Sequence, residues 1–547
     1  MREIDRLTVE QFATPSPLLM EAAATAVLKG VSRHFNEEIA GKRALILCGR
    51  GNNGGDGAAL ARGLARAGMH AHVILFGRLE ETRGDARPNF EAVQRLASFE
   101  AGSNSSPALL SFTECESIQS WEAIAKPRRA YDLMVDALFG TGLTRPLEGV
   151  YVQVIEHLEL SRRARERAAG VRPLIVSIDL PSGLNADSPT PNGAAVVADL
   201  TVTFTAPKPA NVLPPACFSG GNLIVANIGS PESLVAAARS QLFVVEADDA
   251  RQWLVRTRYT RDSYKNTHGH ALIVAGSRGY SGAAALCANA AMRSGAGLVT
   301  VATPASAEAA VASRAMPEVM TTALAETDRG AVSDEAINHV LQLAGRSSVL
   351  AIGPGLSTED ERTRRFVRAV IEQRTTPIVI DADGLNCLSP WPEGLRGSAE
   401  APLILTPHTG EMRRLLGSDK ATLNDRVAVV REFATRHELI LLLKGSRSLI
   451  AGPDGSVYVN PTGNAGLGTA GSGDTLTGII TGFIAQEFGA TKNPANALAA
   501  TIAALYVGGL AGDLAASDLG MRTMVASDIR EHLPAAIRLL DEEGERP

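Results

Sequence analysis

The chain of 547 residues is poor in the features that mark several common functional classes. Its five cysteines, Cys48, Cys115, Cys217, Cys287 and Cys387, stand singly, with no CxxC pair. That excludes a disulfide framework and a zinc spacing, and reads as buried thiols of a reducing compartment. Positive charge is not in excess: 53 lysines and arginines face 59 acidic residues, a formal net charge of −6. With no basic footprint, neither nucleic acid nor an anionic membrane is the expected partner, and the ligand should be small. No run approaches the ~18 apolar residues of a membrane span. The opening MREIDRLTVEQ carries acids and no apolar signal segment, so a cytoplasmic location is expected. No GxxxxGK[ST] occurs, which removes the Walker phosphate loop. Low complexity and short-period repeats are missing as well, and the tail 541–547, DEEGERP, reads as a frayed, solvated end.

What is present is a globular composition, 45% apolar and 20% charged, at a length that asks for more than one core. Short β-branched or Leu-rich runs alternate with Ala-rich helical stretches. Examples are ALILC at 44–48, AALARGLARAG, HVILF at 72–76, LMVDALFG, LIVSIDLPSG and LTVTFTAPK. Such alternation predicts α/β architecture with mostly parallel sheets covered on both faces. The pattern weakens after Ile228-Gly229-Ser230-Pro231, which places a boundary within 232–245 and two domains, 1–235 and 236–547. A second series starts at HALIVAG (270–276) and continues through LVTVAT, VLAIGPG, PIVIDADG, LILTPH and LILLLKG. SRSLIAGPDGSVYVN predicts a hairpin around Pro453-Asp454-Gly455, and GLGTAGSGDTLTGIITGFIA a glycine loop entering a helix.

ILCGRGNNGGDG (46–57) contains Gly49-x-Gly51-x-x-Gly54, the spacing of a dinucleotide fingerprint. The acid that would bind a cofactor ribose at the end of the second strand is missing, since HVILF is followed by Gly77-Arg78-Leu79. Asn52, Asn53 and Asp56 instead load the turn before a helix at 57–67 with two amides and a carboxylate. Asp56 alone could be a helix cap, but the block Asn52-Asn53-Gly54-Gly55-Asp56 is better read as a ligand turn. Two further strand ends carry polar groups: Asp136 with the loop Gly140-Thr141-Gly142-Leu143-Thr144-Arg145-Pro146, and Asp179 with Ser182. Ligands bind at the carboxyl ends of strands in open α/β sheets, so the three loops can share one crevice. Oxygen ligands of this kind suit a hard cation.

GTAGSGDTLTG (468–478) sets Gly471-Ser472-Gly473-Asp474 before an apolar helical run. Bare amides at a helix N-terminus form an anion hole, and an acid placed there can take a hydroxyl proton while phosphate transfers. Gly353-Pro354-Gly355, Asp381-Ala382-Asp383, Thr406-Pro407-His408 and Lys444-Gly445-Ser446-Arg447-Ser448 end other strands in the same half. They predict a nucleotide crevice.

The first half, through GxGNNGGDG, VDALFGTG, DLPSG and ADxTVTF (198–204), resembles the YjeF N-terminal domain of the NAD(P)H-hydrate epimerases over about residues 1–230. Residues 260–535 resemble the ribokinase-like ADP/ATP-dependent NAD(P)H-hydrate dehydratases. HGHALIVAGSRGYSGAAALCANAAMRSGAGLVTV, MPEVM, AIGPG, IDADGLN, LTPHTGE, LLLKGS and NPTGNAGLGTAGSGDTLTG carry that likeness in order. The resemblance implies a Rossmann-like α/β/α domain followed by a ribokinase-like α/β/α domain. In the first it implies K+ held by Asn53, Asp136 and Ser182, and substrate lined by Asn52–Asp56, Gly140–Pro146 and Asp179, with Asp179 as acid/base. In the second it implies Ala284, Gly353, His408 and Asp474 on the hydrated dinucleotide, and Lys444–Ser448 with Gly473 on ADP or ATP with Mg2+. NADHX and NADPHX would be the substrates, Asp474 the base, ADP the favoured donor and a homo-oligomer the assembly. The alternative is a kinase of the hydroxyethylthiazole or hydroxymethylpyrimidine type with an accessory sugar- or nucleotide-binding domain, since that superfamily shares the glycine–Asp loop.

Overall fold

The computed structural model describes residues 1–101, 108–125, 131–167, 173–418, 423–491 and 496–544. It divides into two compact units, Met1–Ser240 and Gln241–Pro547.

The first unit is built on seven strands: β1 (Arg43–Cys48), β2 (His70–Phe76), β3 (Leu110–Cys115), β4 (Leu133–Ala137), β5 (Leu174–Ile178), β6 (Leu200–Phe204) and β7 (Asn222–Ala226). They form one all-parallel sheet in the order β3-β2-β1-β4-β5-β6-β7. Successive side chains of a strand point to opposite faces, and β1 shows it. Ala44, Ile46 and Cys48 enter one buried cluster with Val27, Leu60 and Phe90, while Leu45 and Leu47 enter another with Trp121, Val154 and Leu158. Helices therefore cover both faces, as expected of a Rossmann-like three-layer unit. The order reverses between β1 and β4, which opens a crevice at their carboxyl ends.

The helix after β1 does not start at 57. It starts at Asn52 and runs to Arg66, so the Asn-Asn-Gly-Gly-Asp block is its first turn rather than a preceding loop. Glycine is a poor helix former, and packing overrides that preference here. A Cβ on Gly54 would lie 1.8 Å from the Gly49 carbonyl oxygen, and one on Gly57 2.7 Å from Cβ of Ala137 and 2.8 Å from Sγ of Cys48. These two glycines let helix and sheet approach each other; they do not face a pyrophosphate.

The second unit carries β8 (Leu242–Val244), β9 (His270–Val274), β10 (Leu298–Pro304), β11 (Met320–Leu324), β12 (Val349–Ile352), β13 (Ile378–Ile380), β14 (Leu403–Leu405), β15 (Ile440–Leu443), β16 (Leu449–Ala451) and β17 (Val457–Val459). The sheet order is β11-β10-β9-β12-β13-β14-β15-β16-β17-β8. Pairing is parallel from β11 to β15 and antiparallel for β15–β16 and β16–β17. The hairpin expected around Pro453-Asp454-Gly455 is therefore present, with Gly455 at φ +84° in its turn. The weak stretch after residue 231 contributes β8, which pairs with β17 at the sheet edge. Trp253 stacks on Phe483 at 4.1 Å between ring centres inside the main core.

Three expectations need correction. Helix Ala497–Leu519 is long and apolar enough to cross a membrane, although 67% of its apolar window is buried in the protein, as in a core helix. Cys387 is half-buried whereas the other four cysteines are buried. Of the tail taken as frayed, residues 541–544 belong to helix Ala526–Gly544, and 545–547 lie outside the described residues.

Candidate functional site

In the first unit the crevice at the ends of β1, β4, β5 and β6 is a cavity of about 620 Å³, within the usual range for small-molecule sites. Asn52, Asn53, Asp56, Gly140, Thr141, Gly142 and Asp179 line it. Leu143–Pro146 do not: Leu143 is buried in the adjoining core, and Thr144, Arg145 and Pro146 are exposed outside the lining. Gly54 and Gly55 are buried in helix packing and do not line it either.

Asp179 follows β5 in the left-handed region, at φ +66°, a backbone conformation that costs an ordinary residue on the order of 1 kcal/mol and gathers at functional sites. Its Oδ1 accepts from Nζ of Lys208 at 2.5 Å and from Oγ1 of Thr203 at 3.0 Å. Asp56 lies on the cavity wall, where burial, then the charges of Asp179 and Asp5, raise its carboxyl well above the ordinary range. The cavity thus holds one carboxylate tied to a cation and one carboxyl biased towards its neutral form. Asp5, on helix Arg2–Phe12, adds a third acid to the wall; burial raises its pKa.

Beside the cavity, Asp136 at the end of β4 is fully buried. Its oxygens accept from Oγ and N of Ser182 at 2.6 and 2.8 Å, from Oγ of Ser177 at 2.8 Å and from the Leu138 amide at 3.3 Å. Burial raises its pKa and those donors hold it down in part. Nδ2 of Asn53 is buried without a hydrogen-bond partner. Among the described residues no lysine or arginine is bonded to this buried carboxylate, and its oxygens, the Ser182 hydroxyl and the Asn53 side-chain carbonyl are the oxygen donors that suit a hard cation. Among the described residues no group of three or more His, Cys, Asp or Glu side chains could hold a metal ion, so a zinc-type cage is not what this corner offers.

In the second unit the strand ends of β12 to β15 meet the start of helix Ser472–Thr491. Asp381, just past β13, is buried and spends one oxygen on Nζ of Lys444 at 2.7 Å and the other on Oγ1 of Thr477 at 2.7 Å. Lys444, at the end of β15, also lies 3.9 Å from Glu411. Burial works against its charge, but Asp381 and Glu411 outweigh that and hold its pKa up. Gly473 sits over this pair: a Cβ there would be 3.4 Å from Nζ of Lys444 and 3.7 Å from Asp381. Asp474 stands in the first turn of the helix. Burial, then the negative charge of Asp381, push its pKa up to about 6, with Lys444 opposing.

His408 caps helix Thr409–Leu415: its Nδ1 accepts from the amides of Gly410 at 2.9 Å and Glu411 at 3.3 Å. The proton is thereby placed on Nε2, and the side chain stays 55% exposed. A backbone bridge pairs His408 with Lys444, so the two are neighbours at the strand ends. Gly353 adopts φ +135° against the backbone of Asp381. Ala284 is fully buried in the core, so it presents no side-chain surface. Gly445–Ser448 is a turn closed by Ser448 on Gly445 at 3.0 Å, with Ser446 exposed and Arg447 bonded to the Pro461 carbonyl at 2.8 Å.

Residues 16–210 match the family described as YjeF-related protein N-terminus, and residues 271–535 the family described as NAD(P)H-hydrate dehydratase. The bifunctional NAD(P)H-hydrate repair enzyme Nnr of Moorella thermoacetica is 40% identical over 100% of this chain and 97% of its own length. This chain belongs to the bifunctional NAD(P)H-hydrate repair enzymes. The namesake protein of Thermofilum pendens is 35% identical over 99% of this chain and 96% of its own. A solved ADP/ATP-dependent NAD(P)H-hydrate dehydratase from Bacillus subtilis, co-crystallised with ATP/Mg2+, is 28% identical, with 55% of this chain and 98% of that one covered and a TM-score of 0.46. The dehydratase family match lies within the second unit of this repair enzyme. The sequence places Asp381 among the strand ends of the second crevice without showing its partners, and does not assign Lys208, Thr203, Ser177 or Asp5 to the first site or Glu411 to the second. For Ser177 a signal exists, since it is the one hydroxyl inside the apolar strand LIVSI, whereas Thr203 shares its strand LTVTF with Thr201.

Proposed function

We propose that the first unit interconverts the R and S forms of NADHX and NADPHX, and that the second dehydrates the S form at the expense of ADP. The observation that carries this is a carboxylate poised for proton transfer at the strand ends of each unit: Asp179 bonded to Lys208, and Asp474 lifted to about 6 beside a glycine turn. The hydrates carry a hydroxyl on the carbon next to the ring nitrogen, and configuration there exchanges only if a proton moves at that hydroxyl. Asp179 is the acid/base for it. Asn53, Asp136 and Ser182 would hold K+, which supplies countercharge to the buried carboxylate. Asn52, Asp56 and Gly140–Gly142 would line the nicotinamide end of the substrate.

In the second unit hydroxide is a poor leaving group and phosphate a good one. Asp474 takes the ring hydroxyl proton and the hydroxyl oxygen attacks the terminal phosphorus of ADP. AMP departs, and phosphate then leaves as the neighbouring ring carbon loses a proton, giving NAD(P)H. Amides at the start of helix Ser472–Thr491 stabilise the transferring phosphoryl group. Lys444, Gly445–Ser448 and Gly473 hold the nucleotide, which brings Mg2+ with it, and Gly353 and His408 flank the dinucleotide.

Product analysis tests the reading. NAD(P)H, AMP and phosphate should form in equal amounts from S-hydrate and ADP. A stable phosphorylated product would instead show a small-molecule kinase.

A further inference from the structure

We infer that Lys208 is the positioning residue of the epimerase site: it fixes Asp179 so that one oxygen, Oδ2, alone trades the substrate proton. The inference rests on the reading of Asp179 as acid/base given above.

The ammonium of Lys208 has three N–H donors and all three are spent. They reach Oδ1 of Asp179 at 2.5 Å, Oγ1 of Thr203 at 2.8 Å and the Phe204 carbonyl at 3.1 Å. Its side chain is 5% exposed, so it has no donor left for a substrate and is not itself the acid. The hydroxyl of Thr203 points its own proton at the same Oδ1. Two donors on Oδ1 make that oxygen the weaker base and leave proton exchange to Oδ2. Among the described residues no donor reaches Oδ2. It faces the turn at Gly140, where a Cβ would come within 3.2 Å of it and 3.3 Å of Oδ1 of Asn53.

The backbone repeats the tie. The Lys208 amide donates to Oδ1 of Asn211 at 2.8 Å, whose Nδ2 donates to the Asp179 carbonyl at 3.4 Å, and the Asp179 amide bonds Val202 at 2.8 Å. The left-handed Asp179 is therefore held from β6 and from the loop after it. Two acids act on Asp179 through their charge, Asp56 from helix Asn52–Arg66 and Asp5 from helix Arg2–Phe12, while Arg50, which lines the same cavity, is paired with Glu81. Lys208 is the cation bonded to it, and the only one of these groups that can hold the carboxylate still.

The test uses the full-length chain, with nucleotide-dependent consumption of pure S-hydrate as the control for the second unit and the calorimetric unfolding transition of the first unit as the control for its folding. Lys208→Ala should lower kcat for R-to-S exchange by about 100-fold, the scale of a misplaced acid/base group, with KM nearly unchanged. Propylammonium should restore part of the rate, and tetramethylammonium at the same ionic strength should not. Thr203→Val, a smaller change that keeps the lysine, should lower kcat by about tenfold through loss of one hydrogen bond on Oδ1. Exchange at the wild-type rate in either variant overturns the inference. So does a Lys208→Ala chain that consumes S-hydrate normally yet does not respond to propylammonium. Asp179→Asn separates the two claims: if it still exchanges the epimers, the acid/base reading itself falls, whereas its inactivity beside a normal Lys208→Ala chain removes only the role given to Lys208.

Discussion

In the proposed reading two aspartates divide the chemistry, and their surroundings set them apart. Asp179 has its charge answered by Lys208, while Asp474 is pressed towards its neutral form by burial and by Asp381. A base must be ionised to accept a proton. With a pKa of about 6, Asp474 should give a kcat/KM for dehydration that is flat above pH 6 and falls tenfold per unit below it. A stopped-time assay of nicotinamide absorbance across pH 5 to 8, on about this scale, checks it; a profile flat to pH 5 would contradict the assignment. Asp474→Asn should cut dehydration by about 100-fold or more and leave epimerisation intact. None of the partners that tune these acids was legible in spacing. Lys208 is 29 residues from Asp179 and Lys444 63 from Asp381. The acids themselves could be read, because Asp179 follows the apolar strand run LIVSI and Asp474 stands in a glycine turn that enters an apolar helix.

Central strands were legible because they are buried on both faces: β1, β4, β5, β9 and β12 are mostly apolar runs, broken inside only by Asp136 and Ser177. The edge strands β3 and β11 were not. LSFTEC and MTTAL are partly exposed and carry no apolar run to betray them. The helix start at Asn52 was hidden by its glycines, whose cause is packing against Gly49, Met20, Ala86 and Ala137, which only the fold brings together. The same logic applies where helix Ser472–Thr491 crosses helix Ser281–Arg293. A Cβ on Gly478 would lie 2.1 Å from the Cys287 carbonyl oxygen and 2.8 Å from Cβ of Ala290. Gly478→Ala should force the helices apart and destabilise the second unit by about 1–3 kcal/mol. Calorimetry would show it as a lowered unfolding transition with dehydratase activity lost on mild heating, while an unchanged transition would mean the crossing is looser than the geometry shows.

At the scale of the molecule, each site is assembled from one unit's own residues, so each should be removable alone. Family membership and the two-unit architecture could both be read from ordered motifs spread over the chain, whereas the roles of individual site residues depend on contacts that only folding supplies. The most direct test of bifunctional repair is to incubate mixed R and S hydrates with excess ADP and follow the return of reduced-nicotinamide absorbance in wild type and in Asp179→Asn. Wild type should convert the whole mixture. Asp179→Asn should stop once the S fraction is consumed and resume when the Asp474→Asn variant, whose epimerase site is unaltered, is added to supply exchange. Complete conversion by Asp179→Asn at the wild-type rate would contradict the account.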